Sequence, residues 1–258
     1  MANPEYSSPS AMDLPSNIEA LLGSGLSYFF GERRDGLKTQ LYNVDGHPDL
    51  LVREHEEARF LDQMKTGLSS VYSEPEYRQY VPPSHLFVVN NQTYVVTAKI
   101  QGESFSDRLR NPTQALLDQA NGLYGSLGRY LCANMCRGGL AGWDIYEPYQ
   151  YIHGTITGDP SNKPRLTDLP MHANDLGGEH KNEFYCMGIF NWANAVVATE
   201  LLADTTLHAA REVAPDLLEL TSQTEHDERW RKVVNVILSE KHYLYLDDPV
   251  TEQILYSS

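Results

Sequence analysis

The 258-residue chain is poor in positive charge: 20 Lys and Arg stand against 35 Asp and Glu, for a formal net charge of -15. A surface so acidic argues against non-specific binding of nucleic acid or anionic membranes, both of which need a basic face. It leaves room for a locally basic pocket. Cysteine is scarce too, with Cys132, Cys136 and Cys186 alone. An odd, unclustered set offers no disulfide framework and points to a reducing compartment. Cys132 and Cys136 lie one helical turn apart, but no second close pair completes a zinc site, so they read as small buried hydrophobes. No apolar run reaches the ~18 residues that a membrane span needs. The opening "MANPEYSSPSAMDLPS" lacks a basic region followed by an apolar core, so it does not read as a secretory signal. The expectation is a cytoplasmic protein whose residues 1–20 form a loose lead-in.

What is present is alternation in the first hundred residues and helical periodicity afterwards. Leu26 to Phe30 and Leu37 to Val44 read as strands joined through "GERRDG". "PDLLVRE" follows Gly46 and Pro48 as a third strand. "EHEEARFLDQMK" reads as a helix through Ala58, Leu61 and Met64, with Phe60 beside them. "HLFVVNN" and "TYVVTAKI" form a hairpin turned at Asn90-Asn91-Gln92. Beyond it, Asn111 reads as an N-cap and Pro112 as the first helical residue. Leu116, Leu117, Ala120, Leu123, Tyr124, Leu127 and Leu131 mark one apolar face, and Gly138-Gly139 ends the helix. Further helices are expected over Glu183–Ala203 and Glu225–Ser239. The fold class is therefore α+β, with a small β-rich unit over 21–102 and a helical one over 103–258.

Between the helices lies "AGWDIYEPYQYIHGTITGDPSNKPRLTDLP". It carries two acids, Asp144 and Asp168, at the two edges of a hairpin running from Tyr151 to Thr167. A small sheet carrying one helix, then a helical half opening on a hairpin that bears two acids, resembles the protein-kinase-like fold over about residues 25–205. The resemblance implies a two-lobed protein with antiparallel sheet in the first lobe and an ATP and magnesium site between the lobes. In that family a glycine-rich hairpin covers the phosphates, and a strand lysine pairs with them and with a helix glutamate. A loop aspartate orients the acceptor hydroxyl, while an asparagine and a second aspartate hold the metal ions.

Carried over on that resemblance, Asp144 is the catalytic aspartate, with Gly142-Trp143 where His-Arg would precede it. Tyr149 stands at the metal-binding asparagine, and the nearest amide, Gln150, comes one residue late. Asp168 is the metal-binding aspartate, with Leu169-Pro170 replacing Phe-Gly. Arg53 takes the place of the strand lysine, a bulkier cation that pairs phosphate bidentately. Glu57 is its helix partner, with Glu56 almost as well placed. Gly31 and Gly36 flank "GERRDG" in the position of the glycine hairpin, and Lys99 stands in the hinge-like "TAKIQGESF" on the nucleotide side. Phosphoryl transfer needs carboxylate or amide oxygens converging on a divalent ion, an acid beside the acceptor and a cation against the phosphates. Asp144 and Asp168 should then lie within about 10 Å of each other, around ions about 4 Å apart.

Each of these residues has a plainer role available. Asp144 could cap a turn, and Arg53 could form a surface ion pair with Glu56 or Glu57. His153 reads as structural, while His172 and His180 belong to a solvated loop. Trp143, Tyr146, Tyr149 and Tyr151 read as packing aromatics. Three functions compete: an ATP- and magnesium-dependent phosphotransferase acting on a protein or small-molecule hydroxyl, a catalytically inactive pseudokinase serving as a binding or regulatory module, and a helical partner-binding protein unrelated to kinases. The degenerate glycine hairpin and Arg53 favour the second; the retained acids favour the first.

Overall fold

The computed structural model describes residues 4–8, 14–29, 39–55, 61–136, 148–167, 190–197 and 225–240, with Ile145, Pro249 and Gln253. Its elements are β1 (Tyr6–Ser7), α1 (Ile18–Ser24), β2 (Leu26–Tyr28), β3 (Thr39–Val44), β4 (His47–His55), α2 (Leu61–Ser73), β5 (Ser84–Val89), β6 (Gln92–Ala98), β7 (Gln101–Ser104), α3 (Phe105–Arg108), α4 (Gln114–Cys136), β8 (Tyr151–Ile156) and β9 (Asp159–Leu166). A helical segment over residues 190–197, here α5, and α6 (Glu225–Glu240) follow. One antiparallel sheet runs β1-β5-β6-β4-β3-β2, and a second, three-stranded one runs β7-β8-β9.

The hairpins form where the alternation calls for them, and their turns carry the expected chemistry. Asn90 and Asn91 both have positive φ, 50° and 64°, the conformation a two-residue hairpin turn demands and asparagine tolerates. Gly46 supplies φ of 78° between β3 and β4. Strand β4 extends one residue beyond "PDLLVRE" at each end, with His47 in register with Val44 of β3 and His55 with Thr93 of β6. Of "EHEEARFLDQMK", Glu54 and His55 belong to β4, residues 56–60 lie outside the described residues, and the helix is described over Leu61–Ser73.

The segment expected to be loose also carries structure. Tyr6 and Ser7 pair with Leu86 and His85 at the outer edge of β5. Asn17 caps α1 by accepting from the amide of Ala20. The cap of α4 falls at Thr113, whose hydroxyl accepts from the amide of Leu116. Asn111 and Pro112 lie before the helix rather than opening it.

The alternation of β4 and β6 sends their residues to two cores. Val52 and Val96 are paired and pack with Ile18 and Leu21 of α1 on one side of the large sheet. Val95 and Leu86 are paired and pack with Met64, Leu68 and Val71 of α2 on the other. That second core continues through Leu116, Ala120, Leu123 and Leu127 of α4 to Trp192 of α5 and Val233 and Ile237 of α6. It is the larger core, and it ties the helices to the sheet through apolar burial.

Helix α4 carries a glycine where α5 crosses it. A Cβ added at Gly128 would meet Cζ2 of Trp192 at 2.9 Å. Alanine normally favours a helix over glycine by about 1 kcal/mol. Here Gly128→Ala is expected to destabilise instead, by about 1–2 kcal/mol, because the buried ring must shift. Urea unfolding of the variant checks the sign.

Candidate functional site

Arg53 sits midway along β4, half-buried and paired with Val95. Paired residues share a face, so its side chain leaves the sheet toward α2 and the larger core. There its Nη2 donates to the backbone oxygen of Thr167 at 2.8 Å. Thr167 directly follows β9 and precedes Asp168. It is held a second time, because its amide and its hydroxyl both donate to the backbone oxygen of Gln150, each at 2.8 Å. Three chain segments distant in sequence thus meet at one point: the middle of β4, the end of β9 and the turn that carries Gln150.

A second anchor holds the other side of the hairpin. Tyr151, fully buried at the start of β8, donates its hydroxyl to the backbone oxygen of Ile145 at 2.6 Å and shares a hydrogen bond of 2.9 Å with the hydroxyl of Tyr77. Burial and the neighbouring Tyr77 hold its phenol well above the ordinary range, so it stays a neutral donor. Ile145 is itself buried and directly follows Asp144. The neighbours of both acids are therefore pinned to the scaffold, one by tyrosine and one by arginine. Tyr151→Phe is expected to cost about 1–3 kcal/mol, because it strands a buried carbonyl and the Tyr77 hydroxyl. Chemical denaturation of the variant measures it.

Lys99 follows β6 and lies on the same side of the sheet as Arg53. Its Nζ donates to Oδ1 of Asn43 at 2.7 Å and stands 4.9 Å from the centre of the Phe29 ring. Asn43 pairs with Leu51, two residues before Arg53 on β4, which fixes the shared face. The strand cation and the hinge cation thus both reach toward one side, and protein groups engage both. Asp144, Asp168, Glu57, Glu56, Gly31 and Gly36 lie outside the described residues, as do Trp143, Tyr146, His172, His180 and Cys186. Among the described residues no group of three or more His, Cys, Asp or Glu side chains gathers to hold a metal.

Of the expected packing aromatics, Tyr151 is buried but Tyr149 is 60% exposed. Tyr149 stands in the one-turn helix Pro148–Gln150, outside either core. His153 is structural. It stacks on Phe105 with 16° between the rings, and its Nε2 lies 2.7 Å from Oε1 of Gln119. Burial, then the charge of Arg108, lower its pKa from 6.5, with Glu103 opposing. The folded state therefore binds fewer protons than the unfolded one at mildly acidic pH. Stability from this site is fully present above 6.5 and drains as pH falls toward the lowered value. His153→Gln is expected to flatten the pH dependence of the urea midpoint in that window.

Two positions gave no useful signal in the sequence. Thr167 was one residue of "RLTDLP", yet it receives Arg53 and grips Gln150. Arg165 is fully buried, with Nε donating to the backbone oxygen of Gly154 at 3.0 Å and Nη2 meeting Oδ2 of Asp159 at 2.9 Å. A charged residue at alternate spacing on a strand reads as solvent-facing, and only the fold shows it turned inward.

No family model matches the sequence, and no curated protein does. Among solved structures the chain is similar to the pseudokinase domain of BIR2, an immune regulator of the RLK/Pelle family. The TM-score is 0.45 and the identity 14%, over 90% of this chain and 81% of that one. A likeness of that degree carries no argument about activity. The fold itself is mixed α and β with antiparallel sheets and several helices, compatible with a kinase-like fold.

Proposed function

We propose that the chain is a kinase-like binding or regulatory module that does not turn over ATP. The observation that carries this reading is the hydrogen bond from Arg53 to the carbonyl of Thr167. It joins the strand cation to the segment leading to Asp168, as a nucleotide cleft requires. It also commits that cation to the protein, and Lys99 is committed likewise to Asn43. An incoming phosphate must compete with both contacts before it gains either charge. In this reading the two-lobe arrangement and the cleft between residues 21–102 and 103–258 are kept as a scaffold for recognition.

A second reading, phosphoryl transfer from ATP with magnesium to a protein or small-molecule hydroxyl, is favoured by the anchoring of Ile145 and Thr167. Fixed neighbours would hold Asp144 and Asp168 in place, and fixed geometry is most of what phosphoryl transfer asks of a protein. Asp144 would then face the acceptor, and Asp168 with Gln150 would hold the metal.

Thermal-shift titration with ATP, with and without magnesium, decides between them, because a ligand of the native state raises apparent stability by mass action. The expected result is no magnesium-dependent shift and no turnover. A shift that Asp168→Ala abolishes, with turnover that Asp144→Ala removes, would establish the enzyme instead.

A further inference from the structure

Away from Arg53, a half-open cavity of about 470 Å³ lies between the large sheet, the one-turn helix Arg78–Tyr80 and the β8–β9 turn. That volume suits a small molecule. Its wall is apolar on the sheet side, where Leu50, Val81 and Ala98 are joined by Ile156 of β8. Its other side is basic, with Arg78, Lys163 and Arg165.

The charges there are not equivalent. Arg165 is fully buried, and the backbone oxygens of Gly154 and Ser161 and the carboxylate of Asp159 take up its donors. Asp159 also binds Lys163 at 3.1 Å and the amide and hydroxyl of Ser161. Burial pushes its carboxyl up, but the combined donors outweigh that and hold it well below the usual range, so it stays charged. Lys163 gives Asp159 one of its three N–H groups and keeps others. Arg78 is exposed at the rim; its backbone bonds Glu74 and Val81, but among the described residues no hydrogen bond or ion pair engages its guanidinium. Asp49 is the remaining acid of the lining, half-buried at the sheet side. Three cations against two acids leave the lining net positive, with the free cationic donors at the Arg78–Lys163 rim and the Asp49 carboxylate on the sheet side.

We infer that this cavity binds a small amphipathic monoanion, with a compact apolar body against Leu50, Ala98 and Ile156 and a carboxylate or sulfonate between Arg78 and Lys163. The site is separate from the Arg53 cleft, and the inference stands whichever reading of that cleft holds.

Isothermal titration of the full chain with naphthoate, and with naphthamide as the neutral counterpart of the same shape, tests it. Saturable one-to-one binding of naphthoate is expected, with naphthamide weaker. Arg78→Gln should weaken naphthoate by about fivefold, the size of an exposed charge pair, and leave naphthamide unchanged. Thr157→Trp, an exposed change in the β8–β9 turn, should block both by filling the mouth. Both variants alter exposed side chains, and an unchanged melting temperature confirms that each is folded. No saturable naphthoate binding, equal loss of both ligands in Arg78→Gln, or binding untouched by Thr157→Trp would overturn the assignment.

Discussion

Trp192→Ala is expected to cost about 4 kcal/mol of folding stability, the range for removing a fully buried large aromatic. Trp192 has no exposed surface, and its Nε1–H donates to the backbone oxygen of Tyr124 at 3.1 Å. Its ring lies in the notch that Gly128 leaves on α4. No neighbour can flow into that space, because α4 is itself fixed by Leu116, Leu123 and Leu127 in the larger core. Domains carry only about 5–15 kcal/mol in total, so the variant should unfold at markedly lower urea. Trp192→Phe keeps part of the volume and loses the donor, and should fall between the two. Equal urea midpoints for wild type and Trp192→Ala would show that α5 does not brace α4.

Arg165→Met is the second large effect, at about 3 kcal/mol, because it keeps the aliphatic stem and removes a buried, multiply bonded guanidinium. The loss leaves the carbonyls of Gly154 and Ser161 and the Asp159 carboxylate to find other donors. Asp159 is 37% exposed and can regain water, which holds the cost to the lower end for a broken buried pair. Arg165→Lys should rescue little, since one ammonium cannot reach the positions served by both Nε and Nη2. The same carboxylate sets an acid limit. Its pKa is lowered in the fold, so its contribution is fully present above the ordinary 3.8 and is lost as pH falls below it. Acid titration of wild type against Arg165→Met, followed by circular dichroism, should show a steeper slope in the wild type, because Ser161 and Lys163 still lower the carboxyl in the variant.

The strands of the large sheet were legible because β3 to β6 alternate apolar and polar residues between unmistakable turns. Strand β7 was not, because "QGES" has no apolar face to declare it. Its pairing rests on backbone contact: a Cβ on Gly102 would meet the oxygen of His153 at 2.2 Å, and one on Gly154 the oxygen of Gln101 at 2.4 Å. Two facing glycines let β7 and β8 approach, a signal visible only once they are known to be neighbours. Glu54 falls in both the predicted strand "PDLLVRE" and the predicted helix "EHEEARFLDQMK", because its charge suits either. In the fold its carboxylate accepts from the Tyr42 hydroxyl at 2.7 Å, and that cross-strand contact keeps it in β4. For α4, Asn111 and Pro112 read as cap and first helical residue, but the cap falls two residues later at Thr113, whose hydroxyl accepts from the amide of Leu116. Of the candidate site, Arg53 was legible as a cation on the third predicted strand. Its contact with the Thr167 carbonyl was not, because a backbone oxygen leaves no mark in a sequence.

The pairing of Tyr6–Ser7 with β5 also bears on how the chain reaches its fold. The partners Tyr6 and Leu86 are separated by most of the large sheet. As the chain is synthesised, its first strand has nowhere to dock until β5 and β6 have emerged and closed their hairpin. Until then β5 presents an open edge, the kind of surface on which a second nascent chain can pair. Ordering β1 is thus a late, long-range step that pays its loop-closure entropy after the hairpins have formed. The short strand then works as a closing seal, set in place only when the rest of the sheet is ready to receive it.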